Sequence, residues 1–366
     1  MIKKLLDERR LPDLLRFSDG NCVKTKEDYE KRKKEILALL ENEVFGVMPR
    51  RPDHLWFELK ESDTRFAAGK ATLNKVIIHF EFDGRRACFP ITAVIPSKKG
   101  VYPAFVNVGF EEAVPNKYLP LEEIIDRGYA LFYLCYEDIV KDKCSSFKSG
   151  VAELIRSGRG KTLSGKIALW AWAVSRVADY VLTLPEIDES SLAVVGHSRL
   201  GKTALLAGAF DERFNYIISN DSGCTGAALS RGKRGENIAN ITDTFPYWFN
   251  KKYPEYASRE SELPLDQHFL LGASVPRHIL VGSAEDDLWA DPKSEFLSLV
   301  AVNEAYALYG MSGLLHDNVI PAVKNGETRC VLSDGDASYH IRRGAHYFSR
   351  EDWGVYMDYI DKSREN

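Results

Sequence analysis

The 366-residue sequence predicts an α/β fold on a mostly parallel sheet. Three observations predict it. Strand patterns in hairpin arrangement come first, and strand and helix patterns alternate after them. Then the apolar run 192–195 turns sharply at Gly196-His197-Ser198-Arg199-Leu200-Gly201-Lys202 into the small-residue helix pattern Thr203-Ala204-Leu205-Leu206-Ala207. A buried strand, a tight turn and a helix with serine at the apex leave the hydroxyl exposed beside a helix N-terminus.

The elements follow in order. Residues 26–45 place Tyr29, Ile36, Leu37, Leu39 and Leu40 at helical spacing among Lys and Glu, an amphipathic helix lying on a core. Residues 54–59 alternate weakly. Residues 75–82 and 88–95 are strands flanking Asp83-Gly84, a strong hairpin signal. Residues 102–108 and 129–134 are buried strands, and 167–182 is a long apolar helix. After the strand 192–195 come short strands at 216–219 and 278–282, a helix at 296–309, strand-like runs at 330–332 and 339–341, and a closing helix at 353–360. Antiparallel strands followed by α/β units are the pattern of an α/β-hydrolase, a three-layer αβα sandwich with a mostly parallel central sheet. With no repeat, low-complexity tract or linker, the expectation is one domain over 1–366, residues 1–50 forming a helical N-terminal extension packed on it.

Composition narrows the partners. Charged residues make up 28% and the net charge is −4, which gives no reason to expect nucleic acid or a membrane surface. No run of 18 apolar residues suggests a membrane span. The first ten residues lack the apolar core of a signal peptide. The six cysteines are scattered without a C-x-x-C pair, and Cys88, Cys135 and Cys330 in apolar runs read as small buried hydrophobes. A reducing cytoplasm without structural disulfides is the expectation; a secreted chain trimmed of its leader would look the same.

A serine hydroxyl needs a base, and the base needs an acid to orient it and stabilise its imidazolium. In this fold the order is Ser, acid, His. Five histidines follow Ser198. His278 lies in a strand, His268 precedes an apolar helical turn, His316 comes too early for the last strand, and His340 alternates within it. His346 follows Gly344 on the loop beyond that strand, where the base belongs; Ser349 and Asp352 then read as a capping box opening the last helix. The acid is sought after the strand ending near Gly282. Asp291 before Pro292 is explained as a helix N-cap, leaving Asp286 and Asp287, with Asp287 preferred. Asp221 after the strand 216–219 is the competitor, its alternative being a turn residue. The backbone N–H of Arg199 and one near Gly109-Phe110 would meet the oxyanion, with the Arg199 guanidinium adding charge. No metal motif and no nucleotide-binding glycine loop is present, so neither metal nor cofactor is expected.

Several motifs together resemble one family. They are G-x-S-R-x-G-K at Ser198, the run 222–231, Gly235-Glu236, Phe245-Pro246-Tyr247-Trp248-Phe249, Asp287-Leu288-Trp289-Ala290-Asp291-Pro292, His346, and Asp352-Trp353; Trp170-Ala171-Trp172 and Ala178-Asp179-Tyr180 also fit. The sequence resembles the glucuronoyl esterases, carbohydrate esterase family 15, especially the bacterial branch, from about residue 11 to residue 353. The resemblance implies a serine esterase acting on 4-O-methyl-glucuronoyl or glucuronate esters. It implies Ser198 as nucleophile, His346 as base, Arg199 at the oxyanion, Lys202 and Glu236 on sugar hydroxyls, and Trp289 lining the uronate pocket. Lys202, one helical turn past Ser198, is expected at the site mouth. Family members carry the acid in one of two places, matched here by Asp221 and Asp287. Those using the first carry glutamate, and Asp221 is shorter by roughly 1.5 Å, which favours Asp287. Known members are mostly secreted and act on large polymers; the absence of an export signal points to a smaller, imported uronate ester. Two other readings stand beside this one: a sugar deacetylase resembling acetyl xylan esterases, and an inactive carbohydrate-binding protein on the same scaffold. In each the partner is a small carbohydrate ester or an oligosaccharide.

Overall fold

A computed structural model describes residues 1–148 and 150–365. Ten strands form one sheet: β1 His54–Phe66, β2 Ala71–Phe82, β3 Arg85–Pro96, β4 Tyr102–Gly109, β5 Ala130–Cys135, β6 Ile187–His197, β7 Tyr216–Asn220, β8 His278–Ala284, β9 Arg329–Leu332 and β10 Ala337–Arg342. Their order is β1-β2-β3-β5-β4-β6-β7-β8-β10-β9. The six strands from β5 to β10 in that order run parallel, and β1, β2, β3 and β9 are antiparallel. This is the three-layer α/β-hydrolase arrangement. β4, β5 and β7 are buried throughout, as expected of parallel strands covered on both faces.

The helices are α1 Ile2–Arg9, α2 Lys26–Leu39, α3 Leu121–Asp126, α4 Gly150–Ile155, α5 Lys166–Val181, α6 Arg199–Phe210, α7 Ile238–Thr244, α8 Gln267–Gly272, α9 Pro292–Ala301, α10 Asn303–Ala307 and α11 Arg350–Glu365. All but one residue of α5 is buried: its sequence is mostly apolar, and the buried Lys166 and Arg176 have hydrogen-bond partners; Trp170 and Trp172 likewise satisfy their indole N–H groups on the carbonyls of Val140 and Arg50. The N-terminal segment shares this core: Ile2, Leu14, Tyr29 and Ile36 are buried in it, α1 packs on α9, α2 packs on α8, and Tyr29 Oη donates to the carbonyl of Gly272.

The turn between β2 and β3 has φ of 49° at Asp83 and 75° at Gly84, the double left-handed conformation that Asp-Gly favours in a two-residue hairpin. Four expectations need correction. β1 extends to Phe66 rather than ending at residue 59, since its far half is exposed and held by pairing with β2 rather than by an apolar face. The helix expected over 26–45 changes at Leu40 into a wider π-helical segment, Leu40–Phe45. The helix expected over 296–309 is two helices. α9 begins at Pro292, which costs nothing at a first-turn position, and the chain breaks where Asn303 turns its side-chain amide onto the backbone of Leu314. Cys88 is exposed, because the alternation that buries Phe89 and Ile91 turns Cys88 outward.

Candidate active site

β6 ends at His197, and α6 starts at Arg199 with only Ser198 between them. Ser198 has φ 58° and ψ −126°, a conformation that costs a non-glycine residue about 1–3 kcal/mol and that projects its side chain from the turn. The flanking glycines have steric reasons. A Cβ on Gly196 would lie 2.1 Å from the carbonyl oxygen of Leu200, and one on Gly201 would lie 2.9 Å from Ser222 Cβ. Leu200 is fully buried. A side chain at 201 would meet Ser219 and Ser222, so the second glycine falls there rather than at the buried Leu200.

His346 stands on the loop after β10, 44% exposed at its side chain. Its Nδ1–H donates to Asp287 Oδ2 at 2.6 Å. With Nδ1 protonated, Nε2 is the basic nitrogen. Asp287, only 6% exposed, also accepts from the Ala290 backbone N–H at 3.2 Å. Burial raises its pKa, but the hydrogen bond and charge of His346 outweigh burial and hold the carboxyl below its ordinary value. The two loops are tied together: Glu285 N–H donates to the Arg342 carbonyl and Asp286 N–H to the Gly344 carbonyl. Ser198 and His346 line the same cleft. Among the described residues no hydrogen bond joins Ser198 Oγ to the imidazole, a looseness common before substrate is bound.

Asp221 sits in a bend, as the alternative reading has it, but it is buried. It follows β7 at φ 44°, is 2% exposed, and has one oxygen 3.4 Å from Arg342 Nη2 and the other without a partner. Burial raises its pKa well above the carboxylate range. One ligand atom from each of Asp221, Asp287 and His346 lies within 4.8 Å of the others. Both candidate acids thus converge on the imidazole, and Asp287 holds the bond. The same trio is the only metal-sized group of His, Cys, Asp and Glu among the described residues, and a cation there would compete with the His346–Asp287 pair.

Behind these residues lies a buried ionic layer that the sequence reading did not find. Asp352 caps α11 through Ser349, as expected, but it also accepts from Arg342 Nε and His340 Nε2. His340 is therefore structural. So are His268, bonded to the Pro12 carbonyl, and His278, bonded to Asp336 O and Tyr359 Oη, while the His316 ring packs on Phe296. His197, which no motif assigns a role, belongs to the same layer. Its Nδ1–H donates to Asn220 Oδ1 at 2.7 Å and its ring lies 4.5 Å from that of His346. Burial, then the neighbouring His346, brings its pKa down to about 3, so it packs on the His346 imidazole as a neutral ring.

Glu295 is fully buried, accepting from Ser283 Oγ and Gly223 N–H. Burial lifts its pKa to about 7. Above that pH the folded state carries a charge it disfavours, so the residue costs on the order of 3 kcal/mol at pH 8 and little at pH 5, where the acid is protonated in the fold. Glu295→Gln is therefore expected to raise the thermal midpoint at pH 8 and leave it nearly unchanged at pH 5. An equal shift at both pH values would refute this account.

The cleft, of about 360 Å³, is closed on its other sides by Arg199, Lys202, Glu236, Phe245, Trp248 and Trp289. Lys202 does not reach out to the mouth as expected. It is 4% exposed, and its Nζ donates to the Ser222 carbonyl at 2.5 Å, so it forms part of the cleft floor. Burial lowers its pKa, and Glu236 is the chief charge opposing that. Trp289 is 57% exposed at the rim, and its carbonyl accepts from the Glu236 N–H. A Cβ on Gly235 would strike the backbone of Leu288 and Trp289, so these two loops approach as closely as glycine allows. The Arg199 guanidinium is ion-paired with Asp142, a residue the sequence reading passed over. Asp291 is the N-cap of α9, as expected.

The chain is similar to known proteins over most of its length. Residues 78–310 match the family model described as glucuronyl esterase, fungi. A carbohydrate esterase from an unknown prokaryotic organism is 31% identical, over 96% of this chain and 89% of the relative. A 4-O-methyl-glucuronoyl methylesterase of Schizophyllum commune is 26% identical, over 82% of this chain and 74% of the relative. Among solved structures, a glucuronoyl esterase from Solibacter usitatus superposes with a TM-score of 0.85 at 32% identity, covering 96% of this chain and 97% of the other. A promiscuous CE15 esterase from a marine bacterial metagenome gives 0.86 at 30% identity, covering 96% of both.

Proposed function

From the premise that the chain belongs to the glucuronoyl esterase family, carbohydrate esterase family 15, we propose that this carbohydrate-ester hydrolase cleaves esters of glucuronic acid and its 4-O-methyl ether through an acyl-enzyme on Ser198. Ser198 Oγ attacks the ester carbonyl and passes its proton to His346 Nε2. The resulting oxyanion is met by backbone N–H groups and the Arg199 guanidinium. Collapse expels the alcohol, which takes the proton from His346. Water then attacks the acyl-enzyme, giving its proton to His346, and Ser198 leaves with that proton while the uronic acid departs. Asp287 keeps the imidazole in the tautomer that presents Nε2 and stabilises the imidazolium.

The observation that carries this reading is the short His346–Asp287 hydrogen bond at the edge of a cleft that also holds an elbow serine. The polar floor supports the uronate half of the substrate. Lys202 and Glu236 offer a cation and a carboxylate for sugar hydroxyls, and Trp289 offers an aromatic wall. An ester panel on the purified protein tests the substrate. Methyl and benzyl glucuronates are expected to be hydrolysed with kcat/KM at least about tenfold above acetylated xylose. The reverse preference would make the protein a sugar deacetylase. A fluorophosphonate probe is expected to label Ser198; failure to label would favour a binding protein.

A further inference from the structure

We infer that Asp142, which lies 56 residues before the nucleophile in the chain, is the positioning residue that fixes the Arg199 guanidinium for the oxyanion; the inference rests on the oxyanion reading of Arg199. Asp142 is 5% exposed at its side chain and uses both carboxylate oxygens. Oδ2 is ion-paired with Arg199 Nη1, and Oδ1 accepts from Trp248 Nε1 at 2.7 Å. The guanidinium also lies 4.8 Å from the Trp248 ring centroid and 5.3 Å from that of Phe245, and these two rings stack on each other at 3.9 Å. One carboxylate thus orients both the cation and an aromatic ring against which it packs.

The clamp is itself rigid. Lys166, fully buried, donates from Nζ to the carbonyls of Lys141 and Lys143 on either side of Asp142, and to Ser146 Oγ. Tyr247 Oη donates to the Asp142 carbonyl, and the Asp142 N–H donates to Glu137 Oε1. The N–H, the carbonyl and both carboxylate oxygens of Asp142 are all bonded. Arg199 keeps donors beyond the one Asp142 takes. Among the described residues its Nη2 makes no hydrogen bond, and the side chain is 28% exposed and lines the cleft beside Ser198. A donor held in place and left unpaired suits an oxygen that gains charge only during reaction. A long side chain free to rotate would instead lose that advantage to reorganisation.

The test is a double-mutant cycle on the glucuronate ester. Arg199→Ala is expected to lower kcat about 100-fold, the scale of losing one oxyanion donor. Asp142→Asn keeps the shape and can still accept from Trp248, yet is expected to lower kcat about 10- to 100-fold with KM within about threefold. In the Arg199→Ala background the same Asn change is expected to alter kcat less than about twofold. A full, undiminished effect of Asp142→Asn in that background would overturn the clamp. So would an unchanged kcat in Asp142→Asn when Arg199→Ala is impaired. If Arg199→Ala keeps full kcat, the oxyanion role of Arg199 falls, and the clamp with it. Should Asp142→Asn not fold, Asp142→Glu, which keeps the charge but displaces it by roughly 1.5 Å, is expected to lower kcat with KM held; wild-type kcat there would refute the positioning.

Discussion

Ser198→Ala is expected to reduce kcat on methyl glucuronate by about 10⁴- to 10⁶-fold, with His346→Ala falling in the same range. The reasoning starts from the turn. Ser198 holds φ 58° because Gly196 and Gly201 permit the tight passage from β6 into α6, and because its N–H donates to the Asn220 carbonyl. Alanine has the same backbone demands as serine there, so the variant is expected to fold and to bind ester with little change in KM. What it loses is the atom that forms the acyl bond. His346 is on the surface side of the cleft, with its support coming from Asp287 and the His197 ring, so its removal leaves the core intact. Because the two residues serve one step, the double variant is expected to be no slower than the worse single one. Single-turnover kinetics with purified proteins checks this. Normal turnover by either variant would remove the proposed nucleophile or base.

The elbow was legible because its constraints are local: two glycines, a buried strand and a small-residue helix all lie within residues 192–207. The position of His346 was legible because chain order and the last strand place it on the loop after β10, where the structure has it bonded to Asp287. The limits came from partners far apart in sequence. Asp142 and His197 precede Ser198, and a search for catalytic groups after the serine does not reach them. The layer of Asp221, Arg342, Asp352 and His340 is assembled from the segment after β7, from β10 and from α11, and nothing in any one segment predicts that a charge there is buried. Lys202 was misplaced for the same reason. Helical spacing gives the side on which it projects, but only the approach of Ser222 decides that this side is covered. In the fold, apolar strands were found and the exposed half of β1 was not, since its pairing leaves no apolar signature.

Asp287→Asn is expected to lower kcat by about 10³- to 10⁴-fold, and Asp221→Asn by less than about tenfold. Both carboxylates approach His346, so proximity does not separate them; their protonation does. Asp287 is held below its ordinary pKa by the hydrogen bond and charge of His346, which outweigh burial, so it is ionised at neutral pH and accepts the hydrogen bond of Nδ1–H. Asp221 is pushed the other way by burial and by the nearby carboxylates of Glu295 and Asp352, with Arg342 opposing. Arg342 also bonds Asp352 through Nε, so neutralising Asp221 leaves that cation paired. An amide at position 287 would offer an N–H toward Nδ1 as readily as an oxygen. That moves the imidazole proton to Nε2, the nitrogen that must be free to take the serine proton, and so costs the rate without disturbing the fold. The folded-state pKa of Asp287 is depressed, so its contribution to stability is present above pH 4 and is lost as pH falls through the folded value. Asp287→Asn is thus expected to be less stable than the wild type at pH 7, with the gap narrowing in acid. A greater loss of kcat in Asp221→Asn than in Asp287→Asn would transfer the role of the acid to the residue after β7, and the short bond to Asp287 would then be a resting contact that the imidazole leaves when it reacts.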